Sequence, residues 1–537
     1  MLIAIACACK GEPSKTVKQP NGLEASEPIT CDNPGLRAAL HFDRRRTPAT
    51  LPLDGAFLAG TGLVVADFSG DGTADMFVPS ETTSEMWITV PGETPEDILF
   101  DESGIDGLAG IDLSMAVGGT AVDYDGDGDL DLFVTRWELP NLLLQNDGTG
   151  QFTDVTGSAF KAYNRKSQTS SWADIDLDGD LDLFVGNYGE TPDTHDDPNM
   201  AAAEPAELYR NDGGGVFTDI SSLIPSEIND GYSFMSGWWD IDGDLYPELF
   251  SAHDFGFVRD SAMAINNGGT SFTTANHIET NWHPQFEDMG MGVADLNGDE
   301  IPDFLLSSWK TVSLMESSPS ALSPVGVLWV ETSQSRTFDV DPDNRNQVYG
   351  WGADFGDVDN DADLDALVTF GYWSTYTNAG DPEVQVDGLW IQEDGLFENL
   401  AADAEWSIND KGIGRGFVFH DLNADGYLDV IKREMDGPTA LYLSRCGGEN
   451  WSRVQLRQEG ANTRAIGAKI RITHNGKKQV RWVHSGSSGM YTGNPPEVHF
   501  GLGSDEIIDQ LDVIWPDGDE VSYAHVPAKR ILTITRQ

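Results

Sequence analysis

The sequence has few basic residues: 32 Lys and Arg stand against 89 Asp and Glu in 537 residues, which gives a formal net charge of −57. This balance excludes a nucleic-acid binder that relies on phosphate neutralisation, and it argues against docking on an anionic membrane surface. The charge does not indicate disorder, because 39% of the residues are hydrophobic and the chain contains 15 Trp and 24 Phe. The sequence therefore predicts a folded acidic protein with a substantial core.

Cysteine is also scarce, and no pair of cysteines has the spacing of a zinc site or a Cys-x-x-Cys redox site. No apolar run approaches 18 residues, so no transmembrane helix is predicted. Residues 1–9 have an apolar stretch and small residues before Cys7 and Cys9, which is typical of a secretory lipoprotein signal. The stretch is short and lacks a basic leader, so it fits either a truncated signal or a chance resemblance.

From these features we expect a protein that is secreted or held in the cell envelope, with Cys7 or Cys9 as the candidate lipid-anchor site. Residues 10–35 are polar and are predicted to form a flexible tether.

Catalytic motifs are missing as well. The sequence has no His-Glu-x-x-His, no Gly-x-Ser-x-Gly and no Gly-x-x-x-x-Gly-Lys. The most suggestive local groups are His253-Asp254 and Trp282-His283 with Glu287 nearby, and a His beside an acid in a β-rich loop is usually structural. Four tryptophans near the acidic motifs described next are expected to pack between strands rather than to form a binding cage: Trp172, Trp238, Trp239 and Trp351.

A nine-residue pattern, Asp-x-Asp/Asn-x-Asp-Gly-x-x-Asp, dominates what the sequence does contain. It recurs seven times with a mean spacing of 59 residues. The copies begin at Asp67, Asp123, Asp174, Asp240, Asp295, Asp357 and Asp421.

Each copy lies between two short apolar runs of strand length, and further runs follow. In several repeats an Asn-Asp-Gly hairpin turn separates the last two runs, as at Asp147 and Asp212. Each repeat is therefore predicted to form about four antiparallel strands. Four-stranded units in series are typical of a β-propeller. The sequence predicts an all-β protein in which residues 36–446 form a seven-bladed propeller.

The carboxylates of each pattern predict a metal site. Oxygen ligands at positions 1, 3, 5 and 9 of a tight turn converge on one point, and six to eight hard oxygen ligands suit Ca²⁺. The candidate ligands, 25 of them carboxylates, are Asp67, Ser69, Asp71 and Asp75; Asp123, Asp125, Asp127 and Asp131; Asp174, Asp176, Asp178 and Asp182; Asp240, Asp242, Asp244 and Glu248; Asp295, Asn297, Asp299 and Asp303; Asp357, Asp359, Asp361 and Asp365; and Asp421, Asn423, Asp425 and Asp429.

Up to seven Ca²⁺ sites are thus expected. Copies 1, 2, 3 and 7 keep the Gly at position 6 that supplies a left-handed turn. Copies 4, 5 and 6 carry Leu245, Glu300 and Ala362 there, so their occupancy is less certain.

The last 91 residues differ in charge from the rest. Residues 447–537 contain 11 Lys and Arg and 10 Asp and Glu, so residues 1–446 carry a net charge of −58. This shift predicts a domain boundary near Gly447. Alternating residues in Trp451–Arg457, and Asn475-Gly476 between Lys469–Thr473 and Gln479–Val483, predict a small β-domain.

Three segments are typical of a known family: Met289-Gly-Met-Gly-Val-Ala-Asp-Leu-Asn-Gly-Asp299, Asn462-Thr-Arg-Ala-Ile-Gly-Ala-Lys-Ile-Arg471 and His499-Phe-Gly-Leu-Gly503. On these segments the chain resembles FG-GAP/VCBS-type repeat proteins with a C-terminal ASPIC/UnbV domain, the bacterial relatives of cartilage acidic protein 1. The resemblance implies a secreted, calcium-binding propeller that is used in interactions.

Two functions stay open at this point. The first is a non-enzymatic interaction or adhesion module with a protein or glycan partner in the extracellular space or envelope. The second is an enzyme of lyase or hydrolase type with its site at the propeller mouth, walled by Gly189–Glu207 and Lys310–Val325. Convergent His, Arg and carboxylate side chains on the axis would favour the enzyme, and a plugged channel would favour binding.

Closure of the ring gives one further expectation. The seventh repeat offers three strands, and Leu36–Phe42 near the N-terminus is predicted to supply the fourth. Cys31 and Cys446 flank the strands that would then meet, so we predict a disulfide between them in an oxidising compartment.

Overall fold

The computed structural model describes residues 17–18, 22–29, 42–46, 61–91, 98–101, 107–161, 163–189, 203–256, 258–275, 277–282, 287–338, 340, 348–372, 385–400, 411–435, 438–444, 447–486 and 489–537. Strands account for 52% of the structure and helices for 4%. The all-β class predicted from the repeats is therefore confirmed.

The N-terminal strands are β1 (Val17–Lys18), β2 (Leu23–Ala25) and β3 (Phe42–Arg46). The first two repeats form β4 (Val64–Ala66), β5 (Asp75–Val78), β6 (Glu85–Pro91) and β7 (Ile98–Asp101), then β8 (Ala116–Val122), β9 (Asp131–Pro140), β10 (Leu142–Asn146) and β11 (Phe152–Asp154). The third and fourth form β12 (Asn164–Ala173), β13 (Asp182–Asn187), β14 (Glu207–Asn211) and β15 (Phe217–Asp219), then β16 (Tyr232–Trp239), β17 (Glu248–Asp254), β18 (Ala262–Asn266) and β19 (Phe272–Ala275).

The fifth and sixth repeats form β20 (Asp288–Ala294), β21 (Asp303–Ser308), β22 (Val312–Pro319) and β23 (Val327–Glu331), then β24 (Gly350–Gly356), β25 (Asp365–Phe370), β26 (Gln385–Val386), β27 (Gly388–Glu393) and β28 (Leu396–Asn399). The seventh forms β29 (Lys411–Gly412), β30 (Gly414–His420), β31 (Asp429–Glu434) and β32 (Ala440–Ser444). Short helical turns occur at Thr156–Ala159, Ser221–Leu223, Ser226–Asn229 and His277–Thr280.

Each repeat folds as an antiparallel unit of four strands, in which the acidic pattern joins the first strand to the second. Apolar side chains fill the space between successive units, as Phe184 and Leu208 of the third do against Leu249 and Ala264 of the fourth. The propeller architecture is confirmed. The second and third units share one eight-stranded sheet through β9 and β12, so the count of seven separate blades stays a prediction.

The seventh unit packs on the first. Ile431 and Leu441 contact the apolar cluster of Met76 and Trp87, which closes the ring of units. The N-terminal segment supplies the fourth strand of this unit, as predicted, but at Phe42–Arg46 rather than at Leu36–Phe42. Strand addition uses backbone hydrogen bonds and needs no apolar pattern, which is why the apolar run misplaced the strand. Residues 36–41, Cys31 and Cys446 lie outside the described residues, so the disulfide stays a prediction.

The C-terminal domain consists of β33 (Asn450–Arg457), β34 (Lys469–His474), β35 (Lys477–Trp482), β36 (Glu497–Gly503), β37 (Ile507–Ile514), β38 (Glu520–Pro527) and β39 (Arg530–Thr535). One sheet has the order β35-β34-β37-β38, and the other has the order β1-β2-β39-β33-β36. The hairpin predicted at Asn475-Gly476 is confirmed, with both residues at positive φ.

The second sheet corrects one expectation. Residues 10–35 were expected to form a flexible tether, but Leu23–Ala25 pairs with β39 of the C-terminal domain. Leu23 and Ala25 alternate with Glu24 and are buried, so a period-two apolar pattern explains the strand. Within the part of the chain that the structure describes, no helix is both long and apolar enough to cross a membrane.

Candidate metal centres

Every acidic loop begins after the first strand of its unit and ends where the second strand starts, so all seven lie at the same end of the units. We call this end of the ring the acidic face. The first carboxylate of each loop accepts a hydrogen bond from the backbone N–H of the residue at position 6. In the third loop, Asp174 accepts from the N–H of Asp178 at 3.1 Å and from that of Gly179 at 3.0 Å. These bonds close the turn around the first ligand.

The carboxylate at position 9 holds the loop to its sheet. One of its oxygens accepts from the N–H at position 2 in all seven loops. In six loops the other oxygen accepts from an N–H of the third strand, as Asp131 does from Asn146 at 2.8 Å. These carboxylates are at most 1% exposed. Position 9 therefore has a structural task in addition to the ligand role predicted for it.

Side-chain oxygens converge in four of the loops. In each of them, three acidic residues place one oxygen apiece within 4.8 Å of the others. The groups are Asp123, Asp125 and Asp127; Asp174, Asp176 and Asp182; Asp240, Asp242 and Glu248; and Asp357, Asp359 and Asp361.

The remaining three loops carry Ser69, Asn297 or Asn423 at position 3 instead of a carboxylate. The four loops with a group of three convergent acidic residues thus share a carboxylate at position 3, whereas Gly at position 6 does not distinguish them from the other three loops. The fourth and sixth loops form acidic groups although Leu245 and Ala362 replace that Gly.

Position 6 adopts the same left-handed conformation in every loop. Its φ is 89°, 99°, 95° and 92° at Gly72, Gly128, Gly179 and Gly426. It is 76° at Leu245, 68° at Glu300 and 80° at Ala362, where a side chain makes this conformation unfavourable. The turn is therefore kept in the fourth, fifth and sixth loops at the cost of local strain.

Burial disfavours the charged form of these carboxylates. It raises the pKa of Asp174 to about 7, and the neighbouring charges of Asp178 and Asp176 add to this effect. Burial also raises the pKa of Asp131 to about 9 and that of Glu248 to about 8. A cation bound among the oxygens would stabilise the ionised forms. Several negative oxygen donors in a small, partly buried turn are the donor set that a hard divalent cation prefers, so the residues fit such an ion.

The C-terminal domain covers the acidic face. The Thr463 hydroxyl donates to Oδ2 of Asp123 in the second loop. In the seventh loop, Arg453 Nη1 lies 3.8 Å from Asp421 Oδ2, and the Trp451 ring packs directly against Gly426. The acidic loops of the second and seventh units therefore lie at the interface between the propeller and the C-terminal domain.

One loop of the C-terminal domain enters the ring. We call residues 484–486 and 489–495 the axial loop. Gly493 N donates to Leu63 O at 2.9 Å, and Val65 N donates to Gly493 O at 3.0 Å, next to the first strand of the first unit. Ser485 accepts from Trp172 N at 3.1 Å and donates through its hydroxyl to Ala121 O at 3.0 Å.

Other units contact the same loop. A side chain at Gly118 of the second unit would collide with Tyr491, and one at Gly416 of the seventh would collide with Met490 and Thr492. First strands line the channel of a propeller, so the axial loop occupies the channel on the side of the acidic face. Tyr491 is 2% exposed there.

Five other residues singled out in the sequence have structural environments, His253 and four tryptophans. Both ring nitrogens of His253 are engaged, Nδ1 by Asp260 O at 2.8 Å and Nε2 by Ser251 Oγ at 3.0 Å. Four tryptophans are buried in apolar clusters: Trp172, Trp238, Trp239 and Trp351. His283, Cys7 and Cys9 lie outside the described residues.

Sequence analysis missed the residues of the C-terminal domain that contact the loops, namely Arg453, Thr463 and the cations around Glu300. Glu300 forms ion pairs with Lys469 at 3.1 Å, with Arg471 at 3.3 Å and with Lys478. The only signal for them was the contrast between a near-neutral C-terminal segment and a strongly acidic remainder.

Comparison with known proteins gives two domain matches. Residues 123–185 match the FG-GAP-like repeat, and residues 458–537 match the ASPIC and UnbV domain. Cartilage acidic protein 1 of Homo sapiens is 26% identical over 436 residues, which are 76% of this chain and 61% of the relative. The Mus musculus protein is 30% identical over 438 residues, which are 76% of this chain and 62% of the relative. The chain thus spans about three fifths of the length of these relatives.

Among solved structures, the chain is similar to an Agrocybe aegerita lectin that specifically recognises non-reducing terminal N-acetylglucosamine. The TM-score is 0.40 at 14% identity, over 72% of this chain and 94% of the lectin.

Proposed function

Because the chain carries an FG-GAP-like repeat and an ASPIC and UnbV domain on a propeller, we propose that it is a calcium-binding interaction module without catalytic activity. The observation that carries the metal proposal is the convergence of three acidic side chains in each of four loops. Calcium suits these loops better than magnesium, because flexible coordination by many oxygens tolerates differences between the copies.

Melting temperature tests the metal proposal. A cation that binds only the folded state stabilises it by about 2.7 kcal/mol per site at 100 times its Kd. The melting temperature of the full chain should rise with millimolar Ca²⁺ and fall in EGTA, and Mg²⁺ should have a smaller effect. Asp176→Asn at position 3 of the third loop should reduce the calcium response. Asp180→Asn at position 7, where only the backbone carbonyl is a candidate ligand, is the matched control. No shift in excess EGTA after verified metal removal would reject the proposal.

The axial loop supports binding rather than catalysis. It occupies the channel with the chain's own residues, so a partner would bind on the outer surfaces of the propeller. We propose a protein or glycan partner in the extracellular space or the envelope. Glycan-array binding and capture from the native host, each done with Ca²⁺ and with EGTA, test this. Equal binding in Ca²⁺ and in EGTA would show that recognition of the partner does not depend on the metal.

Localisation is part of the same proposal. We propose that the chain is exported and is either secreted or held in the envelope through Cys7 or Cys9. Fractionation of the native host, with Cys7→Ala and Cys9→Ala variants, tests the anchor. A protein found only in the cytoplasm would contradict export.

One observation favours the enzymatic alternative. At the end of the ring opposite the acidic face, Tyr188 donates to Asp254 Oδ2 at 2.6 Å. Burial, and then the charge of Asp254, raises the pKa of Glu287 to about 7, which suits a general acid. Turnover of a polysaccharide that is lost in Glu287→Gln and kept in Glu279→Gln would establish an enzyme of lyase or hydrolase type instead.

A further inference from the structure

The C-terminal domain contacts the residue at position 6 in five of the acidic loops. In three loops that keep Gly there, the carbonyl oxygen of that Gly accepts a hydrogen bond from the domain. The contacts are Arg464 Nη2 to Gly128 O at 2.8 Å, Asn462 N to Gly179 O at 3.1 Å and His499 Nε2 to Gly426 O at 3.0 Å. One equivalent backbone atom in the second, third and seventh loops thus faces the same domain.

The three loops without Gly use the same position or its neighbours. Glu300 of the fifth loop is bonded by Lys469, Arg471 and Lys478. Leu245 of the fourth loop packs against Gly518. Two contacts flank Ala362 of the sixth loop: Gly503 N donates to Asn360 O at 2.7 Å, and Lys477 Nζ lies 3.7 Å from Asp363 Oδ1.

Two of the three strained side chains at position 6 contact the C-terminal domain directly. Leu245 and Glu300 hold a left-handed conformation that disfavours any residue except Gly. The Leu245 side chain makes an apolar contact with the C-terminal domain, and the Glu300 side chain makes three ion pairs with it. A Gly at either position could make neither contact. The side chains at position 6 of these two loops therefore contribute contacts to the interface with the C-terminal domain.

Position 6 also connects the domain to the metal ligands. Its N–H donates to the first carboxylate of the loop, as Gly128 N does to Asp123 Oδ2 at 2.9 Å. One residue is thus fixed on one side by a candidate ligand and on the other side by the C-terminal domain. In the second loop the link is doubled, because the Thr463 hydroxyl bonds the same oxygen of Asp123.

We propose that cation binding in the acidic loops controls docking of the C-terminal domain and, with it, insertion of the axial loop into the channel. The proposal rests on the calcium binding proposed above and adds its structural consequence. A cation that fixes the first carboxylate also fixes the position-6 turn, and so preorganises the surface on which the domain docks. By linkage, docking must tighten cation binding by the same factor.

Cations of the domain could instead compete with the metal, but the contacts argue against this. The hydrogen bonds of Arg464 and Arg453 are to carbonyl oxygens, those of Gly128 and Asp421, and the ion pair of Arg453 with Asp421 Oδ2 is long, at 3.8 Å. The cluster of three cations lies on Glu300, which occupies no ligand position. A metal ion would therefore leave these contacts in place, so the coupling is positive.

Hydrogen exchange of the full chain tests the coupling. The amides of Gly493 and Val65 join the axial loop to the first unit, so they report insertion directly. Their exchange should be about tenfold or more slower in Ca²⁺ than in EGTA, within the usual range of coupling between sites. Amides of the pair β34 and β35 bond within the C-terminal domain and should stay protected in both conditions, which shows that the domain remains folded.

Two variants separate docking from metal ligation. Glu300→Gln removes charge from the interface and keeps the backbone N–H that donates to the candidate ligand Asp295. It should speed exchange at Gly493 in Ca²⁺ and weaken calcium affinity several-fold. Glu520→Gln is the matched control, because Glu520 pairs with the same Arg471 at 2.9 Å but lies within the C-terminal domain.

The outcomes are distinguishable. Slower exchange of the axial loop in Ca²⁺, with the expected effect of Glu300→Gln, supports the inference. A calcium-dependent melting temperature with unchanged exchange at Gly493 overturns the inference and leaves the proposed function intact. If the chain binds no calcium, both the proposed function and the inference are rejected.

Discussion

Adding a methyl group to the glycine at position 6 should have unequal effects in two loops of the same geometry. Gly426 of the seventh loop and Gly72 of the first have φ of 92° and 89°. A Cβ at Gly72 would meet no atom within 4 Å, whereas one at Gly426 would overlap the indole of Trp451. Trp451 is 1% exposed in the first strand of the C-terminal domain, so it has no free space to move into.

The magnitudes follow from this difference. Gly72→Ala adds only the backbone strain of a left-handed Ala, about 1 kcal/mol. Gly426→Ala adds the same strain and the cost of overpacking a rigid buried ring, about 1–3 kcal/mol more. We therefore expect Gly426→Ala to lower the free energy of unfolding by about 2–4 kcal/mol, and Gly72→Ala by about 1 kcal/mol.

Urea unfolding in millimolar calcium, followed by tryptophan fluorescence and by calorimetry, measures both variants. Trp451 connects the two domains, so Gly426→Ala should also make the C-terminal domain unfold separately from the propeller. Equal losses of stability in the two variants would refute the docking geometry, since only the domain interface distinguishes the two sites.

Three further results are expected. Acidification from pH 8.5 to 6.5 in EGTA should raise stability, by about 1 kcal/mol per pH unit for each carboxylate titrating there. The folded-state pKa of such groups, as for Asp174 at about 7, exceeds the unfolded value, so the folded protein binds the extra protons. Excess Ca²⁺ should abolish or reverse this gain in stability. An increase in stability on acidification that is as large in Ca²⁺ as in EGTA would contradict the expectation. Asp387→Ala should cost about 3 kcal/mol in urea unfolding, because it removes the nearer carboxylate partner of the buried Lys432 ammonium, at 2.6 Å, and leaves only Glu434 at 3.1 Å of these two; a loss under about 1 kcal/mol would contradict this. Non-reducing peptide mapping of the exported protein should recover Cys31 and Cys446 in one disulfide-linked peptide, and two free thiols would rule the bridge out.

The repeats made the fold predictable from sequence. Alternation of apolar runs with acidic turns fixed the four-stranded units, because strand length and turn chemistry are local properties. The hairpin at Asn475-Gly476 was predictable for the same reason, since both residues favour positive φ. The strand at Phe42–Arg46 was misplaced, because its pairing depends on a distant partner rather than on its own pattern.

The candidate site was predictable only in part. Local spacing identified the carboxylates, but it could not predict that position 9 accepts hydrogen bonds from the third strand, as Asp131 does from the N–H of Asn146. Leu245 and Glu300 looked like departures from the motif, because their partners lie in another domain about 170 or more residues away. Contacts of such long range follow from tertiary packing and leave little trace in local sequence.

The most direct test of the account is a count of calcium ions bound to the full chain. Equilibrium dialysis at saturating free Ca²⁺, followed by elemental analysis, gives the stoichiometry. The account predicts several ions per chain and up to seven, with loss of binding when position-3 carboxylates such as Asp125, Asp176, Asp242 and Asp359 are replaced by Ala. A stoichiometry no higher than that of a buffer blank would contradict it.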